Sequence, residues 1–307
     1  MSMYKLYFWS ELLKLECLLP MLPKLGSYQI GLNLAVTPRR LKEKYIETVV
    51  KECERNDVEL NFWPLISRKQ GYWVNAWNIN VQKKWINYLL NNFPSISSYL
   101  LDLEKPINFS GMRGKIMRNK LKIVMPPTRV KKKLNEIVES IHDHNKTVVS
   151  TSYGGIPIGL QPRPSNADYY SYMVYLSFIL RFSDITTRRA IIFYVANKIR
   201  EEHGMEKGAI DLGLTFAGVI NIKLMNALGF LTLDDIISQM EMCLYAKLKR
   251  IQIYAIDNLT REIDKWLERI TNVKARKPPQ YIGEKTGFML KAYRKILFSR
   301  NKDLNQF

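Results

Sequence analysis

The sequence predicts a single eight-stranded (β/α)8 barrel, and three observations predict it. Eight short runs rich in β-branched and aromatic residues alternate with longer stretches, most of them with helical apolar periodicity, which is the pattern of βα units on a parallel sheet. The length of 307 residues suits one large α/β domain. The first run leads into Trp9-Ser10-Glu11-Leu12 with no glycine before Gly26, and neither GxGxxG nor GxxxxGK followed by Ser or Thr occurs anywhere. A doubly wound nucleotide-binding sheet needs such a turn to bring backbone N–H groups onto a pyrophosphate, so its absence favours the closed barrel.

In chain order the predicted strands are Tyr4–Ser10, Gln29–Val36, Val58–Ile66, Ser98–Glu104, Thr147–Tyr153, Tyr169–Phe178, Ile210–Ala217 and Ile251–Asp257. Thr37-Pro38 reads as a helix start, with Thr as cap and Pro at the first helical position, and Leu41, Tyr45, Val49 and Cys53 recur on one face. Pro127-Thr128 opens another helix with the stripe Val130, Leu134, Ile137 and Ile141. Thr232 with Asp235 resembles a capping box ahead of Ile236, Met240 and Cys243. Thr260 reads as the cap of the last barrel helix, with Ile263, Trp266, Leu267 and Ile270 inward. Between the fifth and sixth strands, Gly154-Gly155-Ile156-Pro157 to Pro162-Arg163-Pro164 has too many breakers for a helix and reads as a loop. Residues 1–270 then form the barrel. Residues 271–307 form a basic extension packed on or flanking it, with a helix over 284–299 carrying Phe288, Leu290, Tyr293 and Leu297 among lysines and arginines.

Composition narrows the functional classes. Hydrophobic residues make up 47% of the chain, enough for a sizeable core. No stretch reads as a spanning helix, and the N-terminal apolar run is interrupted by Glu11, Lys14 and Glu16 with no small-residue cleavage site, so a cytoplasmic location is expected. Cys17, Cys53 and Cys243 are far apart and lack a CxxC pattern, and there are only three histidines, so neither a disulfide framework nor a metal centre is expected. His142 and His144 fall near a helix C-terminus, where imidazolium suits the dipole. No cofactor pattern is present, and oligomeric state cannot be read from the chain.

The formal net charge is +19, and two segments hold most of it: residues 111–135 carry nine Lys/Arg and no acid, and residues 271–307 carry nine Lys/Arg against Glu284 and Asp303. Such segments attract polyanions, so contact with nucleic acid or an anionic membrane through residues 111–135 and 274–302 is one expectation. Arg113, Lys115 and Arg118, which follow the fourth strand, are candidates for neutralising a phosphate on a phosphorylated or lipid-linked substrate.

Barrel active sites lie where the strands end. The fourth strand ends Leu101-Asp102-Leu103-Glu104, which puts both carboxyls on the inward face, about 6.5–7 Å apart along the strand. Acids this close in a poorly solvated site cannot both ionise freely, and a neutral acid beside a charged partner suits glycosidic cleavage; an ion-paired acid layer is the alternative. On the sixth strand Met173 and Tyr175 share a face, with Tyr175 placed to donate a hydrogen bond or to fill the barrel. Asp257, ending the eighth, either grips sugar hydroxyls or caps the next helix. The third strand ends at Trp63, and the loop beyond it carries Tyr72, Trp73, Trp77 and two asparagines, suited to stacking on sugars or nucleobases or to forming a small core of its own. Trp9 and Glu11 would lie on the same rim.

The Asp-x-Glu of the fourth strand with the Met-x-Tyr of the sixth resembles the chitinase-like (family 18) glycoside hydrolase barrels. The resemblance implies Glu104 as general acid, Asp102 orienting the substrate's N-acetyl group and Tyr175 hydrogen-bonding it. It departs from that family at Tyr99 and Leu100, where those enzymes carry more acids and glycine, and at Leu176, where they place an aspartate. The expected function is acid-assisted glycosidic cleavage of a carbohydrate or glycoconjugate. The alternatives are a non-catalytic basic barrel binding polyanions and a barrel acting on phosphorylated or lipid-linked sugar.

Overall fold

A computed structural model describes residues 4–104, 127–153, 163–175, 184–214 and 231–279. The expected segments at 105–126, the loop at 154–162 and the extension from 280 onward lie outside the described residues. The eight strands are β1 (Lys5–Ser10), β2 (Ile30–Val36), β3 (Leu60–Pro64), β4 (Ser98–Leu103), β5 (Thr147–Tyr153), β6 (Tyr169–Val174), β7 (Gly208–Gly213) and β8 (Arg250–Tyr254). Each pairs in parallel with its sequence neighbours, and β8 returns to β1, with Trp9 opposite Tyr254. The chain is a (β/α)8 TIM barrel.

Helices cover the outside: α1 (Leu15–Leu18), α2 (Leu22–Ser27), α3 (Ile46–Arg55), α4 (Ile79–Asn92), α5 (Pro127–His142), α6 (Ile185–Lys207), α7 (Leu233–Tyr245) and α8 (Ile263–Ile270). Strand alternation sorts the core into two layers. Phe8, Leu32, Leu34, Phe62, Leu101 and Ile253 face outward and join the helix stripes in one cluster, including Val130, Leu134, Ile137 and Ile141 of α5. Among the described residues no helix is long and apolar enough to cross a membrane.

The barrel interior is unusually polar. At its floor the Arg250 guanidinium lies 4.0 Å from the Tyr7 ring and 4.3 Å from the Tyr169 ring, while the Tyr7 hydroxyl donates to Glu59 at 2.8 Å. Gly31 makes room for this layer, since a Cβ there would meet the Tyr7 ring at 2.3 Å. Above it runs an amide chain: Asn61 donates to Asn33 at 2.9 Å, Asn33 donates to Gln252, and Gln252 donates to Ser171 at 2.9 Å. All four are fully buried, and each bond answers a desolvation cost that an unpaired amide would carry.

Local expectations meet mixed outcomes. The Thr232–Asp235 capping box forms with both reciprocal bonds. The helix expected from Pro38 starts instead at Ile46. Thr37 Oγ1 accepts from Arg40 N at 3.0 Å and closes a short 3-10 turn, and the Arg40 side chain is drawn under the loop after β1 by the carbonyls of Glu11 and Leu13. Thr260 does not cap α8, whose N-terminal flank is Glu262. β8 stops at Tyr254, because Ile256–Asn258 turn into a 3-10 helix, and Asp257 is therefore not a strand end. β7 starts at Gly208, which places Asp211 inside the sheet. His142, the last residue of α5, pairs with Asp168 at 2.9 Å.

Candidate active site

The C-terminal ends of the strands bring four carboxyls into one electrostatic neighbourhood. Asp102 on β4 is buried and feels Glu104, Asp211 and Glu11, in that order of strength; with burial, they hold its carboxyl well above the usual range. Glu104, just past β4, keeps part of its surface open. Burial and then the Glu11 charge push it up to about 8, against a lowering by the neighbouring Asp102 carboxyl. Glu104 raises Asp102, and Glu11 raises both carboxyls.

Glu11 follows β1 directly and is held from three sides. Oε1 accepts from the Tyr72 hydroxyl at 2.9 Å and Oε2 accepts from the Tyr254 hydroxyl. Its backbone is fixed as well: Asp257 Oδ2 accepts from the amides of Glu11 (2.9 Å) and Leu12 (2.7 Å), and Arg40 donates to the carbonyls of Glu11 (2.6 Å) and Leu13 (2.5 Å). Burial pushes the Glu11 carboxyl up to about 7, although both phenols favour its charged form. Tyr72 adopts a left-handed backbone, φ 61°, which costs a bulky residue on the order of 1–2 kcal/mol, and its phenol reaches Glu11 from there.

Asp211 on β7 is fully enclosed and sits at about 7, raised by burial and lowered by Ser171, Trp9 and, more weakly, Arg250. The Ser171 hydroxyl and the Trp9 indole lie near enough to favour its charge. Neither makes a hydrogen bond of normal geometry, and both Asp211 oxygens lack a normal partner among the described residues. The same holds for Trp63 Nε1 and Asp102 Oδ1, which face one another.

Aromatic rings line the mouth above these acids. Trp9 and Trp63 meet edge to face at 4.8 Å, and Tyr175 stacks on Tyr254 at 5.7 Å. Trp9, Trp63, Tyr72, Trp73 and Tyr254 form one cluster with Tyr175 packed against it. Trp63 faces Asp102, and Tyr175 packs against the cluster that holds Trp63 and Tyr254.

The aromatic loop differs from the expectation of open indoles. Asn75 and Asn78 are spent on the loop itself, both donating to the Trp73 carbonyl, at 2.8 Å and 2.6 Å. The Val74 amide donates to the Asp102 carbonyl at 2.9 Å, pinning the loop to β4. Tyr72 and Trp73 are buried, and Trp77 alone of these three is exposed, at 47%.

Asp257 is a brace. It neither caps α8 nor presents its paired oxygen to a ligand, because Oδ2 is taken by the loop amides. Asp257→Ala is expected to cost on the order of 2 kcal/mol of stability through the loss of two bonds to a charged acceptor, read by urea unfolding; a change below about 0.5 kcal/mol would remove the brace. Arg113, Lys115 and Arg118 lie outside the described residues. Of the basic stretches, residues 127–135 and 274–279 are described, with Arg129, Lys131 and Lys132 exposed on α5. Among the described residues no group of three His, Cys, Asp or Glu is placed to hold a metal ion. Sequence reasoning placed Glu11 on the rim without a role and passed over Asp211 and Tyr254. A lone acid inside the apolar run Ala209-Ile210-Asp211-Leu212 was the available signal.

No protein-family model matches the sequence, and no curated protein matches it. Among solved structures, GH5_18 from Bifidobacterium longum subsp. longum superposes over 96% of this chain and 81% of its own, at 8% identity and a TM-score of 0.54. A GH5-4 broad-specificity endoglucanase from an uncultured bacterium covers 83% of each chain at 11% identity and 0.52. A GH5 xyloglucanase from Bacteroides ovatus covers 84% of this chain and 65% of its own at 9% identity and 0.50. The chain shares their fold. The likeness concerns the barrel's backbone alone. The chitinase-like family 18 resemblance is not supported by these neighbours.

Proposed function

We propose that this barrel cleaves a glycosidic bond in a carbohydrate or glycoconjugate, with Glu104 as the proton donor. One observation carries the reading: the Glu104 carboxyl, raised to about 8, keeps part of its surface open just past β4, at the end of the barrel where Trp63, Tyr175 and Tyr254 pack together. A general acid needs a pKa near its working pH, and aromatic rings offer flat apolar surfaces to sugar faces. Asp102, two residues earlier on β4, shares its electrostatic neighbourhood, while Tyr175 offers a phenol to the substrate. An endoglucanase and a xyloglucanase are among the barrels of the same fold, which agrees with this chemistry. The test is a panel of 2,4-dinitrophenyl and oligosaccharide glycosides of both anomers; turnover above background supports the reading, and a silent panel removes it.

The charge distribution favours one refinement. The segment following Glu104 in the sequence, residues 111–135, carries nine cations and no acid, which suits a substrate bearing phosphate. Phosphorylated sugars should then be turned over faster than their free forms at low salt, with the advantage lost as ionic strength rises. Equal rates at every salt concentration would discard the refinement.

A further inference from the structure

We propose that Glu11 is the nucleophile of this reaction, the carboxylate that attacks the anomeric carbon from the face opposite Glu104. The inference rests on the glycosidase reading and goes beyond it by naming the second acid.

Two-carboxylate cleavage needs one acid on each side of the scissile bond. Glu104 occupies the end of β4, so its partner must come from another part of the rim. Asp102 is excluded because it lies on the same strand two residues earlier and is itself buried within β4. Asp257 is excluded because Oδ2 holds the backbone of the β1 loop and Oδ1 is buried away from solvent. Asp211 is fully enclosed beneath the Trp9 ring, in the middle of β7. Glu11, at the end of β1, is the acid that remains. It lies across the mouth, within electrostatic reach of both Asp102 and Glu104.

Its surroundings suit the task. Each oxygen takes one phenol hydrogen bond, from Tyr72 beyond β3 and from Tyr254 of β8, so the carboxylate is oriented before any substrate arrives. A buried carboxyl is costly, and a glutamine would fill a merely structural position more cheaply. Glu11 is 7% exposed and wedged between two phenols, which leaves it placed for direct attack more than for holding a water. The groups facing it are the Tyr72 and Tyr254 phenols, the Asp257, Asp102 and Glu104 carboxyls, and the Arg68 and Arg40 cations. Burial raises both carboxyls into the neutral range, Glu11 to about 7 and Glu104 to about 8.

In the first step an ionised Glu11 oxygen forms a bond to the anomeric carbon as the bond to the leaving oxygen breaks and Glu104 gives that oxygen its proton. In the second, water attacks the same carbon, Glu104 takes its proton, and the ester bond breaks to return Glu11 as carboxylate. Both groups end as they began, and the product keeps its anomeric configuration.

The experiment uses the intact wild-type chain with 2,4-dinitrophenyl 2-deoxy-2-fluoroglucosides of both anomers, followed by peptide mapping. A covalent fluorosugar on Glu11 is the expected result. With dinitrophenyl glycosides, Glu11→Ala should lose about 10³-fold or more in kcat, and azide should restore the rate and yield a glycosyl azide. Label on Asp102, Glu104 or Asp211, or an inverted product, overturns the assignment of Glu11 while leaving the glycosidase reading standing. An active Glu11→Ala within about threefold of wild type does the same. A wild-type chain silent on every glycoside removes the reading beneath it. Glu11→Gln, which keeps size and one acceptor, separates loss of the nucleophile from loss of the fold.

Discussion

Glu104→Gln is expected to lower kcat on sugar leaving groups by about 10²–10⁴-fold while substrate affinity stays within a few-fold. An amide has the size and polarity of the acid and no proton to give. Because burial and the Glu11 charge hold Glu104 near 8, wild-type turnover should fall as pH rises through about 8, where the acid loses its proton. In the variant that alkaline limb should vanish. The loss should also depend on the leaving group: dinitrophenolate departs without protonation, so its glycosides should be cleaved at close to the wild-type rate in bond breaking. Steady-state kinetics against pH with both substrate types reads all of this. A variant with full activity on oligosaccharides and an unchanged alkaline limb would end the acid role of Glu104.

Asp211→Asn is expected to change stability in opposite senses across pH. In the unfolded chain an aspartate titrates near 3.8, while in the barrel Asp211 sits at about 7 because burial disfavours its charge. The folded state therefore holds the proton more tightly. The stability this contributes is complete below about pH 4, declines as pH rises, and is gone above about 7, a span worth on the order of 4 kcal/mol. Asparagine carries no charge at any pH. The variant should match wild type to within about 1 kcal/mol at pH 4.5 and exceed it by a few kcal/mol at pH 8. Glu11 and Glu104 titrate in the same window and leave both curves sloped, and the difference between the two proteins reads Asp211 together with the relief of Asp102, which acts in the same sense at high pH. Urea unfolding at four pH values measures it, and parallel curves at every pH would show that Asp211 carries no such penalty.

Much of this barrel was legible in its residues. The alternation of strand and helix patterns determined the fold class, since eight short apolar runs with helical stripes between them bury both faces of each strand in a closed parallel sheet with helices outside. The stripe of α5, the capping box of α7 and the paired Asp102 and Glu104 follow from periods of 3.6 and 2 that depend on local backbone geometry alone. Where expectations missed, a distant group had intervened. Arg40 was pulled under the β1 loop by carbonyls some 27 to 29 residues away, and the helix after Pro38 waited until Ile46. Asp257 turned from the mouth to hold amides on the other side of the chain's length.

The site divides along the same line. That acids and aromatic rings would meet at the strand ends is a property of alternation along each strand, and the sequence alone carried it. Which acid acts on which was decided by barrel closure, which lays β8 against β1 and brings Tyr254, Asp257 and the β3 loop around Glu11. Burial and charge depend on neighbours in three dimensions, and a linear chain states neither until its first strand has met its last.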